Sequence, residues 1–222
     1  PKGVMLSHKN IVSNAINSTH RIPFELGKSK ALSFLPVCHI YERMLLYMYQ
    51  YCGVSIHFAE SLETISDNLQ EIKPQVMTAV PRLLEKIYDK IYAKGADLKG
   101  IKKKLFFWAI ELGLNYKPYG ENGWWYEFQL KIARKLIFSK WRAALGGELE
   151  VVASGSAALQ TRLAKVFNAA GIPIMEGYGL TETSPVVSVN DMRNKHFRIG
   201  SVGKIIKDTE VKIAADGEIL VK

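Results

Sequence analysis

The chain has 222 residues, 48% of them hydrophobic, which is enough for one domain with a sizeable core, or for one domain and part of another. No apolar run reaches the roughly 18 residues expected of a bilayer-crossing helix. The only cysteines, Cys38 and Cys52, stand in no metal spacing and read as reduced thiols of a cytosolic protein, and the five histidines are scattered.

In chain order, Ser7 is placed to cap a helix with Ile11, Val12, Ala15 and Ile16 on one face. Residues 31–36 predict a buried strand, followed by Val37-Cys38-His39-Ile40-Tyr41-Glu42-Arg43 and an apolar helix to about Tyr51. Residues 54–59 predict a strand. Ser61 reads as the cap of a helix carrying Leu62, Ile65, Leu69 and Ile72, and residues 75–80 predict a third strand. Pro81 suits the first turn of the next helix. Strands and helices alternating over short loops imply parallel βαβ units, hence an α/β fold.

The alternation then breaks. Residues 93–147 hold no convincing strand; helices are expected over 101–112 and 127–145, with a Gly, Asn, Tyr and Trp-rich loop between them. Segment 86–142 carries 13 Lys/Arg against 5 Asp/Glu, most of the chain's net charge of +9, and all four tryptophans: Trp108, Trp124, Trp125 and Trp141. Such a block admits nucleic-acid binding, contact with an anionic membrane, or a solvated helical insertion. A strand is expected over 150–153. A helix with Leu159, Leu163, Val166, Phe167 and Ala170 in its stripe follows, capped by Ser156 and stopped by Gly171. From Pro185 onward only short strands and turns are expected, over 186–189, 210–214 and 217–221, with a small β-rich unit beginning near residue 190.

The most informative stretch is 171–185, GIPIMEGYGLTETSP. Gly177 and Gly179 flank Tyr178, as a tight turn against a flat ligand would require. Thr181, Glu182, Thr183 and Ser184 make an oxygen-rich loop after a strand, where α/β proteins hold ligands. Glu182 is a hard oxygen donor suited to Mg²⁺.

This string resembles the most diagnostic motif of the adenylate-forming enzymes: acyl-CoA synthetases, luciferases and peptide-synthetase adenylation domains. Pro1-Lys2-Gly3 with Val4 to His8 resembles the tail of that family's phosphate loop. Ser154-Gly155-Ser156-Ala157-Ala158-Leu159 resembles its nucleotide-site turn, and Gly200-Ser201-Val202-Gly203-Lys204 resembles the segment that follows the core. The four lie in the family's order. The stretch from Leu35 through His39 to Glu42-Arg43, and the 93–147 insertion, are similar to the long-chain fatty-acid–CoA ligase branch.

The resemblance implies an α/β adenylation subdomain over 1–190 and the start of a β-rich subdomain over 191–222. It implies ATP, Mg²⁺ and CoA, a fatty-acid substrate, no specific nucleic acid, and a cytoplasmic protein with possible peripheral contact to an anionic membrane through 86–142. Thr181 would contact phosphate, Glu182 would hold Mg²⁺, and Tyr178 would lie against adenine between Gly177 and Gly179. Gly155, Ser156 and Ala157 would wall the nucleotide site, Lys2 would sit near the triphosphate, and His39 near the acyl carboxylate. The front of the phosphate loop, the ribose-binding aspartate and the C-terminal catalytic lysine have no counterpart in this sequence, so the piece alone is expected to be inactive. The alternative is a basic membrane- or nucleic-acid-binding module that keeps a degenerate adenylation fold.

Overall fold

The computed structural model describes residues 3–23 and 25–222; Lys2 lies outside them. Helix α1 (His8–Thr19) starts at Ser7, whose hydroxyl accepts from the Asn10 amide while the Asn10 side chain accepts from the Ser7 amide. The chain then runs β1 (Lys30–Ser33), α2 (Ile40–Tyr51), β2 (Ser55–Phe58), α3 (Ile65–Ile72), β3 (Val76–Ala79) and α4 (Pro81–Ala96). Next come α5 (Gly100–Leu114), α6 (Trp124–Ala133), a π-helical turn (Arg134–Phe138) and α7 (Ser139–Ala144). After β4 (Val151–Ser154), α8 (Thr161–Ala169) and β5 (Ile174–Gly179), only strands and short 3-10 turns remain: β6 (Val186–Val189), β7 (Lys204–Ile205), β8 (Val211–Ile213) and β9 (Ile219–Val221).

Seven strands form one sheet in the order β2-β1-β3-β4-β5-β6-β7. The pairs from β2 to β5 are parallel, and β5–β6 and β6–β7 are antiparallel. The expected α/β fold with a mostly parallel sheet is what is found. Strands β8 and β9 pair with each other in a separate ribbon.

The side-chain alternation of the strands divides the core between the two faces. Ala31, Val76, Val151 and Met175 face one cluster, which holds Ala15 of α1 and Met44, Leu45, Met48 and Tyr49 of α2. Leu32, Met77, Val152 and Ile174 face the other, built from α3 through α8. Both central strands, β3 and β4, are buried along their whole length, as parallel strands covered on both faces must be.

The segment between β3 and β4 is therefore not a solvated insertion. Leu84, Tyr88, Phe106, Leu130, Phe138 and Trp141 are buried in the larger cluster, so α4 to α7 form one cover of the sheet. The π-turn lets a single continuous helix keep Leu130, Phe138 and Trp141 all turned inward. Arg134 also departs from a solvated basic face: its Nε donates to the Ala169 carbonyl at 2.8 Å, near the open end of α8. Trp124, Trp125 and Phe128 stay exposed at the start of α6.

Two cap assignments also differ from expectation. Ser156 does not cap α8, whose N-cap is Gln160; Ser156 sits in a turn with φ of 68°. Ser61 lies in a turn with Thr64, ahead of α3, rather than at its cap.

Candidate functional site

The carboxyl ends of β1, β4 and β5 open on the same edge of the sheet, as parallel pairing requires. Residues 177–179, expected as a tight turn, form the end of β5 instead. The glycines serve strand contact: β6 returns antiparallel against them, with a register shift between Tyr178 and Gly179. A Cβ on Gly179 would lie 1.8 Å from the Pro185 carbonyl oxygen, and one on Gly177 would lie 3.3 Å from that of Ser188. Close approach of backbone is thus the reason for glycine here, but the backbone that approaches is the chain's own.

Beyond β5 the chain makes a 3-10 turn, Thr181–Thr183. The Thr183 hydroxyl accepts from the Leu180 amide at 2.9 Å and donates to the Pro185 carbonyl at 2.6 Å, so it closes the turn. Thr181 and Glu182 are left exposed, and among the described residues Glu182 has no ion-pair partner.

Across from this turn, β4 ends at Ser154 and passes into Gly155 and Ser156. The Gly155 amide reaches back to the Ala79 carbonyl at 3.3 Å. Gly155 is buried because the Tyr41 ring lies on it; a Cβ there would come within 2.9 Å of Tyr41 Cζ. The Tyr41 hydroxyl donates to the Ala153 carbonyl at 3.2 Å, and burial pushes that phenol far above its ordinary range. His39 is the N-cap of α2. Its Nδ1 accepts from the Tyr41 amide at 3.2 Å, which leaves Nε2 as the nitrogen free to meet a ligand.

These pieces surround one cavity of about 240 Å³. His39, Tyr41, Gly155, Ser156, Gly177, Tyr178, Gly179 and Thr181 line it, so most of the residues singled out from sequence are brought together. Ala157 does not line it. Glu182 faces a second, polar hollow with Asn10, Asn17 and Asp208, one residue beyond Thr181. Most of the remaining lining is apolar, with Ile22, Met44, Leu45, Met48, Met175 and Val189 among it. A pocket with this mixture suits a ligand that is polar and flat in one part and aliphatic in another.

Sequence reasoning assigned no role of their own to four contributors. Ser154 and Ser18 both line the cavity and are buried, and neither hydroxyl has a partner among the described residues. Glu176 is buried beneath the glycines. Burial pushes its carboxyl upward, while the nearby Leu159 and Gly200 amides pull it back. Glu42 is buried behind His39. The visible signal for Glu176 is a single acid at the end of an apolar run; Glu42 stands beside Arg43 and gives none.

Among the described residues no three His, Cys, Asp or Glu side chains cluster as a metal site. An exposed carboxylate on a hydroxyl-rich turn still fits Mg²⁺, which takes one or two protein carboxylates and completes its shell with water and substrate phosphates.

Known proteins were compared with this chain. Long-chain-fatty-acid–CoA ligase FadD15 of Mycobacterium tuberculosis is 31% identical over 226 residues, covering 100% of this chain and 37% of its own. Long-chain-fatty-acid–CoA ligase ACSBG2 of Homo sapiens is 33% identical over 212 residues, covering 93% of this chain and 32% of its own. The chain therefore spans about a third of the length of these relatives. Among solved structures, the N-terminal domain of FACL13 from Mycobacterium tuberculosis superposes with a TM-score of 0.65 at 17% identity, over 99% of this chain and 44% of that one. The o-succinylbenzoate coenzyme A synthetase of Bacillus subtilis, in complex with ATP and magnesium ion, superposes with a TM-score of 0.63 at 17% identity, over 99% of this chain and 36% of that one. Those two likenesses concern the fold. The AMP-binding enzyme signature matches residues 1–221, nearly every residue that builds the sheet, the glycine-framed strand and the cavity, and on that match the chain belongs to the AMP-binding enzyme family.

Proposed function

We propose that this chain is part of the catalytic core of an ATP-dependent long-chain fatty-acid–CoA ligase. In the first half-reaction a carboxylate oxygen of the fatty acid attacks the α-phosphorus of ATP. The bond to the bridging oxygen breaks, and pyrophosphate leaves with that electron pair. In the second, the thiol of CoA attacks the acyl carbonyl, loses its proton, and AMP departs. The barrier in the first step is electrostatic, since an anion must approach a polyanion.

The observation that carries this reading is the cavity itself, where the Gly155 turn, the Gly177–Gly179 strand end and His39 meet a lining of Ile22, Met44, Leu45 and Met48. Tyr178 would lie against the adenine. Thr181 would donate to a phosphate oxygen. Gly155 and Ser156, with Ala157 beside them, would wall the nucleotide. His39 would present Nε2 to the acyl carboxylate. Glu182 would hold Mg²⁺, which supplies neutralising charge at the phosphates. Lys2 would stand near the triphosphate.

Two finer readings accompany this one. A boundary near residue 190, with 191–222 opening a β-rich subdomain, is supported by the β8–β9 ribbon, which among the described residues stands apart from the main sheet, although β7 still pairs with β6. Peripheral contact with an anionic membrane is supported by exposed Trp124, Trp125 and Phe128 beside exposed Lys131 and Lys135. By itself the 222-residue chain is not expected to complete the reaction.

The test is pyrophosphate release by the full-length protein given ATP, Mg²⁺ and palmitate, followed by palmitoyl-CoA formation on adding CoA. ATP turnover that ignores the fatty acid would overturn the ligase reading.

A further inference from the structure

Glu42 has no part in the chemistry above, yet it is fully buried in the first turn of α2, one residue from Tyr41 and three from His39. One carboxyl oxygen accepts from the Ser33 hydroxyl, the other from the Thr78 hydroxyl at 2.9 Å. Ser33 ends β1 and Thr78 lies on β3; both are buried on the sheet face that α2 covers. Among the described residues no cation balances the carboxyl, and burial pushes it upward while the two hydroxyls pull it back.

A leucine would fill this space without a buried acid. Stability alone does not account for the glutamate. Its geometry does something a leucine cannot: two directed hydrogen bonds, to two adjacent strands, fix the rotation of the helix about its own axis. The neighbouring attachments point the same way. Tyr41 reaches the Ala153 carbonyl of β4, and His39 is held to the Tyr41 amide. The start of α2 is thereby fastened across β1, β3 and β4 in succession.

We propose that Glu42 is a positioning residue: its carboxyl, seated between Ser33 and Thr78, sets where His39 and Tyr41 stand at the cavity. His39 governs the acyl end on the ligase reading, and the kinetic arm of the test rests on that reading. A structural arm does not. Cys38 is exposed and adjoins His39, whereas Cys52 is buried at the other end of α2. Alkylation of the two peptides, followed by mass spectrometry, reports the local geometry and the intact fold separately.

The full-length enzyme is compared with Glu42→Leu, Glu42→Gln and Thr78→Val, the last removing only one of the two hydroxyls. In Glu42→Leu the KM for palmitate rises about tenfold, while that for ATP changes by less than about twofold. The Cys38 alkylation rate changes several-fold with Cys52 still protected. Thr78→Val moves both in the same direction by less, and Glu42→Gln, which keeps an acceptor, returns both toward wild type. Unchanged Cys38 rates in both Glu42→Leu and Thr78→Val would overturn the proposal. So would a fall in kcat with both KM values intact, or a Glu42→Gln enzyme no better than Glu42→Leu. A wild-type enzyme that releases no pyrophosphate with fatty acid sinks the ligase reading instead, and the alkylation rates still decide the role of Glu42.

Discussion

Replacing Gly179 with alanine tests whether the glycines of β5 exist for the strand that returns against them. The added methyl would fall 1.8 Å from the Pro185 carbonyl oxygen, 2.7 Å from its carbon and 3.1 Å from Val186 Cα. All three are backbone atoms, so no side chain can rotate away. Protein Cβ atoms do not come within about 3.0 Å of such neighbours, so the backbone at Pro185 must retreat by more than about 1 Å. Overpacking of this kind costs about 1–3 kcal/mol, and a backbone obstacle puts Gly179→Ala at the upper end. For an ordinary domain of this size that lowers Tm by roughly 5–10 °C. The same retreat drags the Thr181–Thr183 turn, which Thr183 ties to Pro185, and a displacement of about 1 Å at a reacting site can cost on the order of 10²-fold in rate. Gly177→Ala is the control: its methyl comes no nearer than 3.3 Å, to the Ser188 carbonyl oxygen, with Val189 Cβ and Cγ2 at an ordinary 3.6 Å, so a shift of a few tenths of an ångström suffices and the cost stays under about 1 kcal/mol. Thermal unfolding and fatty-acid-dependent pyrophosphate release of the full-length variants decide it. Wild-type Tm and KM for ATP in Gly179→Ala, or equal damage from the two alanines, would refute the argument.

Glu182→Gln is expected to lower pyrophosphate release by about 10²- to 10³-fold with Tm nearly unchanged, because the side chain is exposed and unpaired; wild-type release at saturating Mg²⁺ would remove its metal role. Replacing Trp125 and Phe128 together by serine is expected to weaken co-sedimentation with anionic vesicles, where each surface-adjacent Lys or Arg is worth roughly 1 kcal/mol. Equal binding to neutral and anionic vesicles would count against membrane contact. The raised carboxyl of Glu42 gives a pH dependence of defined sign. Between the ordinary glutamate pKa, about 4.3, and the raised folded value, the folded state holds a proton that the unfolded state has lost, so this group's contribution to stability falls as pH rises. The Tm advantage of Glu42→Gln over wild type should therefore widen by a few degrees from pH 4.5 to pH 7.5, and a difference flat with pH would show the carboxyl to be titrating normally.

Much of the sheet was legible because its strands announce themselves locally. Val76–Ala79 and Val151–Ser154 are short apolar runs bounded by turn residues, and parallel pairing follows from the helices between them. What could not be read was pairing across distance. Gly177 and Gly179 look locally like a turn, and only the return of β6 makes them a strand end with a register shift. The packing of the basic block could not be read for a related reason. Its charges are real, but charge counts do not reveal that Phe106, Leu130, Phe138 and Trp141 turn inward along the same helices. At the site, the residues with unusual composition were found and the buried ones were not. Glu42, beside Arg43, carries no sequence signal of burial, and the lone acid Glu176 is a weak one, because such a residue is normally solvated.

The two buried carboxyls bear on how the cavity treats charge. Neither Lys nor Arg lines it among the described residues; its polar surface is hydroxyls, backbone and one imidazole. Ionised acids behind such a surface would repel a polyphosphate through a low-dielectric medium, where charge acts strongly. Burial drives Glu42 and Glu176 toward their neutral forms, which moderates that repulsion. Hydroxyls and amides can orient phosphate oxygens, but they cannot cancel several negative charges. On the ligase reading the cancelling charge has to come from Mg²⁺ at Glu182 and from cationic groups beyond this lining. On the same reading an aliphatic chain would lie against the apolar part of the cavity: Ile22, Met44, Leu45 and Met48 come from the same cluster that holds α2 against the sheet. On the ligase reading the described residues would supply surface for the acyl chain and the adenine of an acyl-adenylate, and would leave the ribose and the triphosphate to groups beyond this lining. The division of labour proposed for them follows that line: backbone and aromatic surface would meet the neutral parts, and the exposed Glu182 carboxylate would hold the metal that accompanies the charged one.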